Sequence, residues 1–402
     1  MGSISAANAE FCFDVFKELK VHHANDNIFY SPLSIISALA MVYLGARGNT
    51  QSQMEKVSYL HRQDALGTRV PSRAKANAMY LLIFTFAPQC GISEYIQKSF
   101  KDLLSGITMP NATHSLNIAD RIYIEKTYPV LPEYLECANK FYGAGLEEVD
   151  FKTATEEARQ LINSWVEKET NGRIQDFLVS GSVDLDTALV LVNAIYFKGI
   201  WRTAFKEDNT QEVPFNQESR PVQMMSQNST FKVAAVAAEK VKILELPYAG
   251  GELSMLVLLP DDISGLEQLE NKISFDKLIE WTSPNVMERK RVKVYLPRMK
   301  IEEKYNLTSV LTALGMTDLF SPSANLSGIS SAESLKVSEA VHEAYMEVSE
   351  EGTETAGSEG VLGDIEQSSE FEEFRADHPF LFLIKHNPTN IILFFGFISR
   401  IE

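Results

Sequence analysis

The spacing of hydrophobic residues changes along the chain, and each change predicts a different element. Phe11, Val15, Phe16 and Leu19 recur at helical spacing and predict an opening amphipathic helix. Ser31-Pro32 precede the apolar run Ile35 to Leu44, as a capped helix start with proline in its first turn would. That run is about ten residues long, too short to cross a bilayer, and predicts a buried helix. Glu156 to Glu169 predict a further helix with Leu161, Ile162, Trp165 and Val166 inward, stopped at Asn171-Gly172, where glycine tolerates a left-handed cap. Thr187 to Phe197 is an apolar run broken only by Asn193, which suits a strand buried on both faces. Lys242–Leu246, Leu253–Leu259, Val292–Pro297 and Ile391–Phe395 are further strand-like runs, and Tyr305 to Leu314 looks helical. Strands and helices do not alternate regularly, so the fold class is α+β rather than a doubly wound parallel sheet. No Pro-rich or charge-block linker divides the chain, which reads as one domain over 1–402. Residues 61–92 fit neither period. A polar, turn-rich stretch from Arg62 to Lys75 precedes the apolar run Met79 to Phe86, either a buried insertion or an error in the gene model.

Composition narrows the function classes. The chain has 402 residues, 45% of them hydrophobic, enough for a large core. Its net charge of −17 disfavours DNA, RNA, heparin and anionic membranes, all of which need basic surface, and suits a soluble monomer. Cys12, Cys90 and Cys137 form neither a disulfide framework nor a metal spacing, and allow one bridge and one free thiol. Four sequons, at Asn111, Asn228, Asn306 and Asn325, tilt the balance toward the secretory route, with the cytoplasm as the alternative. No cleavable signal is visible, so for a secreted chain the segment around Ile28–Leu44 is the candidate uncleaved signal.

A search for catalytic motifs finds no Gly-x-Ser-x-Gly elbow, Cys-x-x-Cys, His-Glu-x-x-His or P-loop. Gly143-Ala144-Gly145 reads as a turn before a strand, His22-His23 as surface residues, and His342 and His378 as structural histidines. The expectation is a protein that is not an enzyme and holds no cofactor or metal, with binding or inhibition as the leading class.

The most informative stretch is Glu350-Glu351-Gly352-Thr353-Glu354-Thr355-Ala356-Gly357-Ser358, small residues between strand-like Val341–Val348 and the apolar C-terminal run. Such a segment can stay exposed or become a strand. With it stand Asn27-Ile28-Phe29-Tyr30-Ser31-Pro32-Leu33-Ser34-Ile35, Asn193-Ala194-Ile195-Tyr196-Phe197-Lys198-Gly199-Ile200-Trp201 and Asp377-His378-Pro379-Phe380. These motifs, in this order over nearly the whole chain, resemble the serpin family, most closely its ovalbumin-like branch and the avian egg-white members of it.

The resemblance implies three β-sheets, eight or nine helices and an exposed reactive-centre loop, about residues 350–373. In inhibitory members a serine protease, or a cysteine protease, cleaves this loop and is trapped as the loop inserts into the main sheet. Glu350 to Ser358 would be the hinge, and the scissile bond would join Glu366 and Gln367. Gly352 to Glu366 is 15 residues, roughly 50 Å as a strand. Ser31, Ser34, Asn193 and His342 would form the polar region where the sheet parts, with Trp201 near its top. Cys90 and Cys137 would form the branch's bridge, in an oxidising setting. Asn306 and Asn325 match its glycosylation region. On insertion Thr353, Thr355 and Gly357 would turn inward easily, whereas Glu359 would bury a carboxylate at a cost of several kcal/mol. Glu366 suits neither trypsin-like nor chymotrypsin-like enzymes. Two functions follow: a protease inhibitor acting by loop insertion, or a non-inhibitory egg-white storage or defence protein. The C-terminal Gly396-Phe397-Ile398-Ser399-Arg400-Ile401-Glu402 departs from the family pattern, which would weaken a terminal strand.

Overall fold

The computed structural model describes residues 2–59, 90, 94–109, 113–143, 145–216, 221–355 and 371–401. Nine α-helices lie among the described residues: α1 (Gly2–His22), α2 (Pro32–Tyr43), α3 (Gly48–Val57), α4 (Glu94–Thr108), α5 (Pro132–Tyr142), α6 (Thr155–Glu169), α7 (Leu266–Lys272), α8 (Phe275–Trp281) and α9 (Leu307–Leu314). The start of α2 is fixed locally. Ser31 is its N-cap, its side chain accepting from Ser34 N–H, and Pro32 fills the first turn.

Strands β2 (His114–Glu125), β3 (Leu146–Val149), β4 (Leu189–Gly199), β11 (Met299–Asn306) and β12 (Glu339–Val348) form a five-stranded sheet in the order β11-β12-β4-β2-β3. Nine others form a second sheet: β1 (Ile28–Tyr30), β6 (Gln211–Pro214), β7 (Pro221–Val236), β8 (Val241–Pro247), β9 (Leu253–Pro260), β10 (Glu288–Pro297), β14 (Glu372–Arg375), β15 (Phe380–His386) and β16 (Ile391–Ile398). A two-stranded sheet pairs β5 (Trp201–Ala204) with β13 (Gly352–Thr355).

All twelve residues of α2 are buried, because it lies between β16 on one side and β2 and β4 on the other. The main core fills this space, with Phe29 stacked on Phe394 at 5.4 Å. A second core lies on the opposite face of the five-stranded sheet, under α6.

The structure differs from the sequence reading at several points. Leu161, expected inward, is 43% exposed. The stripe that α6 buries is Ala158, Ile162 and Val166, four residues apart, and Leu161 falls outside it. The helix expected from Tyr305 begins at Leu307, since Asn306 caps it by accepting from Thr308 N–H at 2.9 Å, and Tyr305 belongs to β11. The strand expected over Ile391–Phe395 runs on to Ile398 as β16, buried along its length and paired on both sides, by β1 and β15. Of the hinge, Gly352 to Thr355 are a strand, beside β5 rather than in the main sheet. Within 61–92, Cys90 alone is described.

Candidate functional site

Strand alternation decides which side chains meet beneath the five-stranded sheet. Leu189, Leu191, Ile195 and Phe197 of β4 face the main core, and Val190, Val192 and Ala194 face α6. Asn193 shares the odd-numbered face and so points toward α2. On β12, Ala340, Ala344 and Met346 face the main core together with His342, while Val341 and Tyr345 face α6. Strands β12 and β4 run parallel with His342 opposite Asn193, and antiparallel β2 places Asp120 opposite Asn193. One polar row thus crosses three strands, with the first turn of α2 beneath it.

The row is closed by hydrogen bonds. Ser31 N–H donates to His342 Nε2 at 3.1 Å, which leaves the imidazole proton on Nδ1 to be donated to Asn193 Oδ1. Asn193 Nδ2 donates to Ser34 Oγ at 2.6 Å, to Ser34 O at 3.1 Å and to Asp120 Oδ1. Burial pushes His342 down to about 3, so the ring is neutral at physiological pH. Burial also pushes Asp120 up to about 7, against the opposing hydrogen bond from Asn193. The row pins β12, β4 and β2 to α2 while the seam between β4 and β12 is paired at nine positions, Glu339 to Glu347 against Val190 to Lys198.

Trp201 does not join that row. It lies beyond the end of β4, where the hinge docks. Its N–H donates to Glu351 O at 2.9 Å and its Nε1 to Ser349 O at 2.8 Å. The indole stacks on Tyr248 with centroids 4.4 Å apart. Gly199 permits this, since a Cβ there would lie 2.3 Å from the Tyr248 ring. Glu350 is nearly buried. Burial would raise its carboxyl, but hydrogen bonds from Arg298 and Thr210 more than offset this and hold it below the ordinary value. Thr210 Oγ1 donates at 2.7 Å and Arg298 Nε at 3.0 Å. Lys198 pairs with Glu351 at 2.7 Å. Thr353 Oγ1 donates to Arg202 O at 3.1 Å, and Gly352 lies so close to Ala204 that a Cβ would meet its backbone at 2.5 Å. β13 runs parallel to β5, with Gly352 opposite Trp201 and Glu354 opposite Thr203.

The other sequence candidates are dispersed. Cys90 and Cys137 are joined in a disulfide that ties residue 90 to α5, and Cys12 is a buried free thiol. Asn228 is exposed on β7 opposite Lys293, and Asn306 and Asn325 are exposed near α9 and α3. Asn111, Ala356, Gly357, Ser358, Glu359, Glu366 and Gln367 lie outside the described residues. Sequence reasoning missed Asp120, Arg298 and Thr210. None carries a local signal, and only strand register and chain reversal bring them to the site.

A family model described as Serpin (serine protease inhibitor) matches residues 6–401. Ovalbumin-related protein Y of Gallus gallus is 64% identical over 399 residues, covering 98% of this chain and 99% of the relative. Among solved structures, uncleaved ovalbumin superposes with a TM-score of 0.87 at 56% identity over 99% of both chains. A cleaved, loop-inserted ovalbumin mutant with arginine changed to threonine superposes at 0.83, with 55% identity over 99% of both chains. With this fold, this polar row and these matches over nearly its whole length, the chain belongs to the serpin family.

Proposed function

We propose that this protein is a secreted, ovalbumin-type serpin that does not trap proteases, an egg-white storage or defence protein. One observation carries the reading. The hinge is already a strand docked on β5, anchored by Glu350, while the β4·β12 seam is closed. Insertion would require the hinge to leave β5 and the nine paired positions of the seam to separate. Similarity to uncleaved ovalbumin supports the same reading. The Cys90–Cys137 bridge and the sequons support secretion. The test is loop cleavage by a panel of serine and cysteine proteases, followed by a melting scan. The expected result is cleaved protein, no SDS-stable complex and little rise in Tm. A large rise in Tm would refute it, as would an SDS-stable complex.

Thr353 favours a second reading, insertion and inhibition with a protease as partner. Ovalbumin-type loops that fail to insert carry a charge at this position, and the loop-inserted ovalbumin relative bears an arginine-to-threonine change. Here Gly352, Thr353 and Thr355 are small and uncharged. Against it stands Glu359, whose carboxylate would turn inward. Cleavage would fall between Glu366 and Gln367. The same melting scan decides between the two readings.

A further inference from the structure

The outer face of β7, β10 and β14 is cationic, in a chain whose net charge is −17. On β10, Val292, Val294 and Leu296 are buried, so alternation turns Arg289, Arg291, Lys293 and Tyr295 outward. On β7, Gln227, Phe231 and Val233 are buried, and Asn228, Thr230 and Lys232 point outward. The antiparallel register sets Lys232 against Arg289, Thr230 against Arg291 and Asn228 against Lys293. β14 adds Arg375 opposite Tyr295. Two of these cations are matched, Lys232 by Glu245 at 3.2 Å and Arg375 by Glu373 at 2.9 Å. Among the described residues no carboxylate pairs with Arg289, Arg291 or Lys293, and Arg291 instead lies over the Phe371 ring, 4.1 Å from its centroid.

Asn228-Ser229-Thr230 stands in the middle of this face. Residues two apart on a strand share a face, so the amide that a sequon offers and the hydroxyl that it requires both look outward. A shift of one residue would put the amide where Gln227 lies, 3% exposed, with no room for a sugar. The Asn228 side chain is exposed and meets no partner among the described residues. Asn306 differs, its Nδ2 donating to Glu339 at 3.1 Å and its Oδ1 capping α9. Directly opposite side chains lie about 5 Å apart and diagonal ones about 7–8 Å, so a sugar on Asn228 starts within reach of Lys293, Arg291 and Tyr295. Its hydroxyl and acetamido oxygens can accept from the lysine and arginine N–H groups that lack a carboxylate. We propose that Asn228 carries an N-linked glycan and that this glycan covers the cationic face of β10. Transfer joins Nδ2 to the anomeric carbon of an oligosaccharide held on a lipid pyrophosphate; Nδ2 gives up a proton and the lipid pyrophosphate leaves. The proposal rests on the secretory route proposed above.

Full-length protein made in avian secretory cells tests it. Enzymatic amide cleavage of N-glycans in heavy-oxygen water converts a glycosylated asparagine to labelled aspartate. The peptide holding residue 228 should be labelled in wild type and in Thr230→Ser, and the label should be lost in Thr230→Ala. An amine-reactive ester should modify Lys293 faster in native Thr230→Ala than in wild type, with exposed Lys168 on α6 as an unchanged reference. Should Thr230→Ala fail to fold, Asn228→Gln takes its place. Secreted protein with unlabelled Asn228 would overturn the proposal and leave the secretory reading standing, whereas protein held in the cytoplasm would overturn both. Equal modification of Lys293 with and without the glycan would refute the covering of β10.

Discussion

Asn193 and His342 stand directly opposite one another across the parallel seam between β4 and β12, joined side chain to side chain. Replacing Asn193 by alanine strips His342 Nδ1–H, Ser34 Oγ and Asp120 of a partner at once. Asn193→Ala should therefore cost about 2–4 kcal/mol, as loss of a buried polar network does. The urea midpoint measures this, and a cost under about 1 kcal/mol would remove the row from the forces that hold the seam.

Asp120 makes stability depend on pH. Its carboxyl is raised from 3.8 to about 7 by burial, so the fold favours the protonated form. The stability this contributes is fully present below about pH 4, declines through the interval up to about pH 7, and is gone above it, with a slope of at most about 1.4 kcal/mol per pH unit. Asp120→Asn should remove that slope. Glu343, raised to about 8 by burial, titrates in an overlapping range in both proteins, so the comparison isolates Asp120. Urea midpoints at pH 5 and pH 8 should show the asparagine variant gaining on wild type at the higher pH; parallel behaviour would contradict this.

Arg298 anchors the hinge through Glu350. Arg298→Ala leaves a nearly buried carboxylate with Thr210 as its remaining side-chain donor, and should loosen the docking of β13 by about 1–2 kcal/mol. Faster exchange in 352–355, with the β4·β12 seam unaffected, is the expected signature. Equal acceleration in both places would mean that hinge and seam move as one unit.

The thiols should titrate in a fixed order. Cys12 is buried and its thiol is pushed up by burial, so a thiol reagent should find none in the native protein. Unfolding without reductant should release one thiol, and unfolding with reductant three. The chain-entropy model puts the contribution of closing a 47-residue loop at about 4 kcal/mol, which reduction should remove. A reactive thiol in the native state would contradict the burial of Cys12.

What the sequence disclosed follows the range of the interactions. The start of α2 was legible because Ser31-Pro32 is a local signal. The two-sided burial of β4 was legible because eleven residues carry almost no polar break. Asn193 stood out for the same reason. Asp120 did not, since β2 mixes buried and half-exposed positions without a clean period. Glu350 meets Arg298 and Thr210 across 52 and 140 residues, and no local pattern encodes such pairs. The hinge residues read as exposed or as a potential strand. That they pair with β5 depends on a partner some 150 positions earlier, and register between distant strands leaves little trace in a single strand.

The strand order β11-β12-β4-β2-β3 alternates antiparallel, parallel, antiparallel and parallel junctions. This gives the seam a parity. A chain that leaves the end of β12 and turns back must run against β12, and therefore against β4 as well. A single added strand would exchange one slanted parallel ladder for two antiparallel ones, leaving only the β2·β3 edge parallel, whereas two added strands could not satisfy both banks. The parallel junction between β4 and β12 thus marks the one interior position of the sheet where a single further strand would leave every interior junction antiparallel. The place belongs to the topology: the directions of β12 and β4 alone dictate that one strand entering between them would run antiparallel to both.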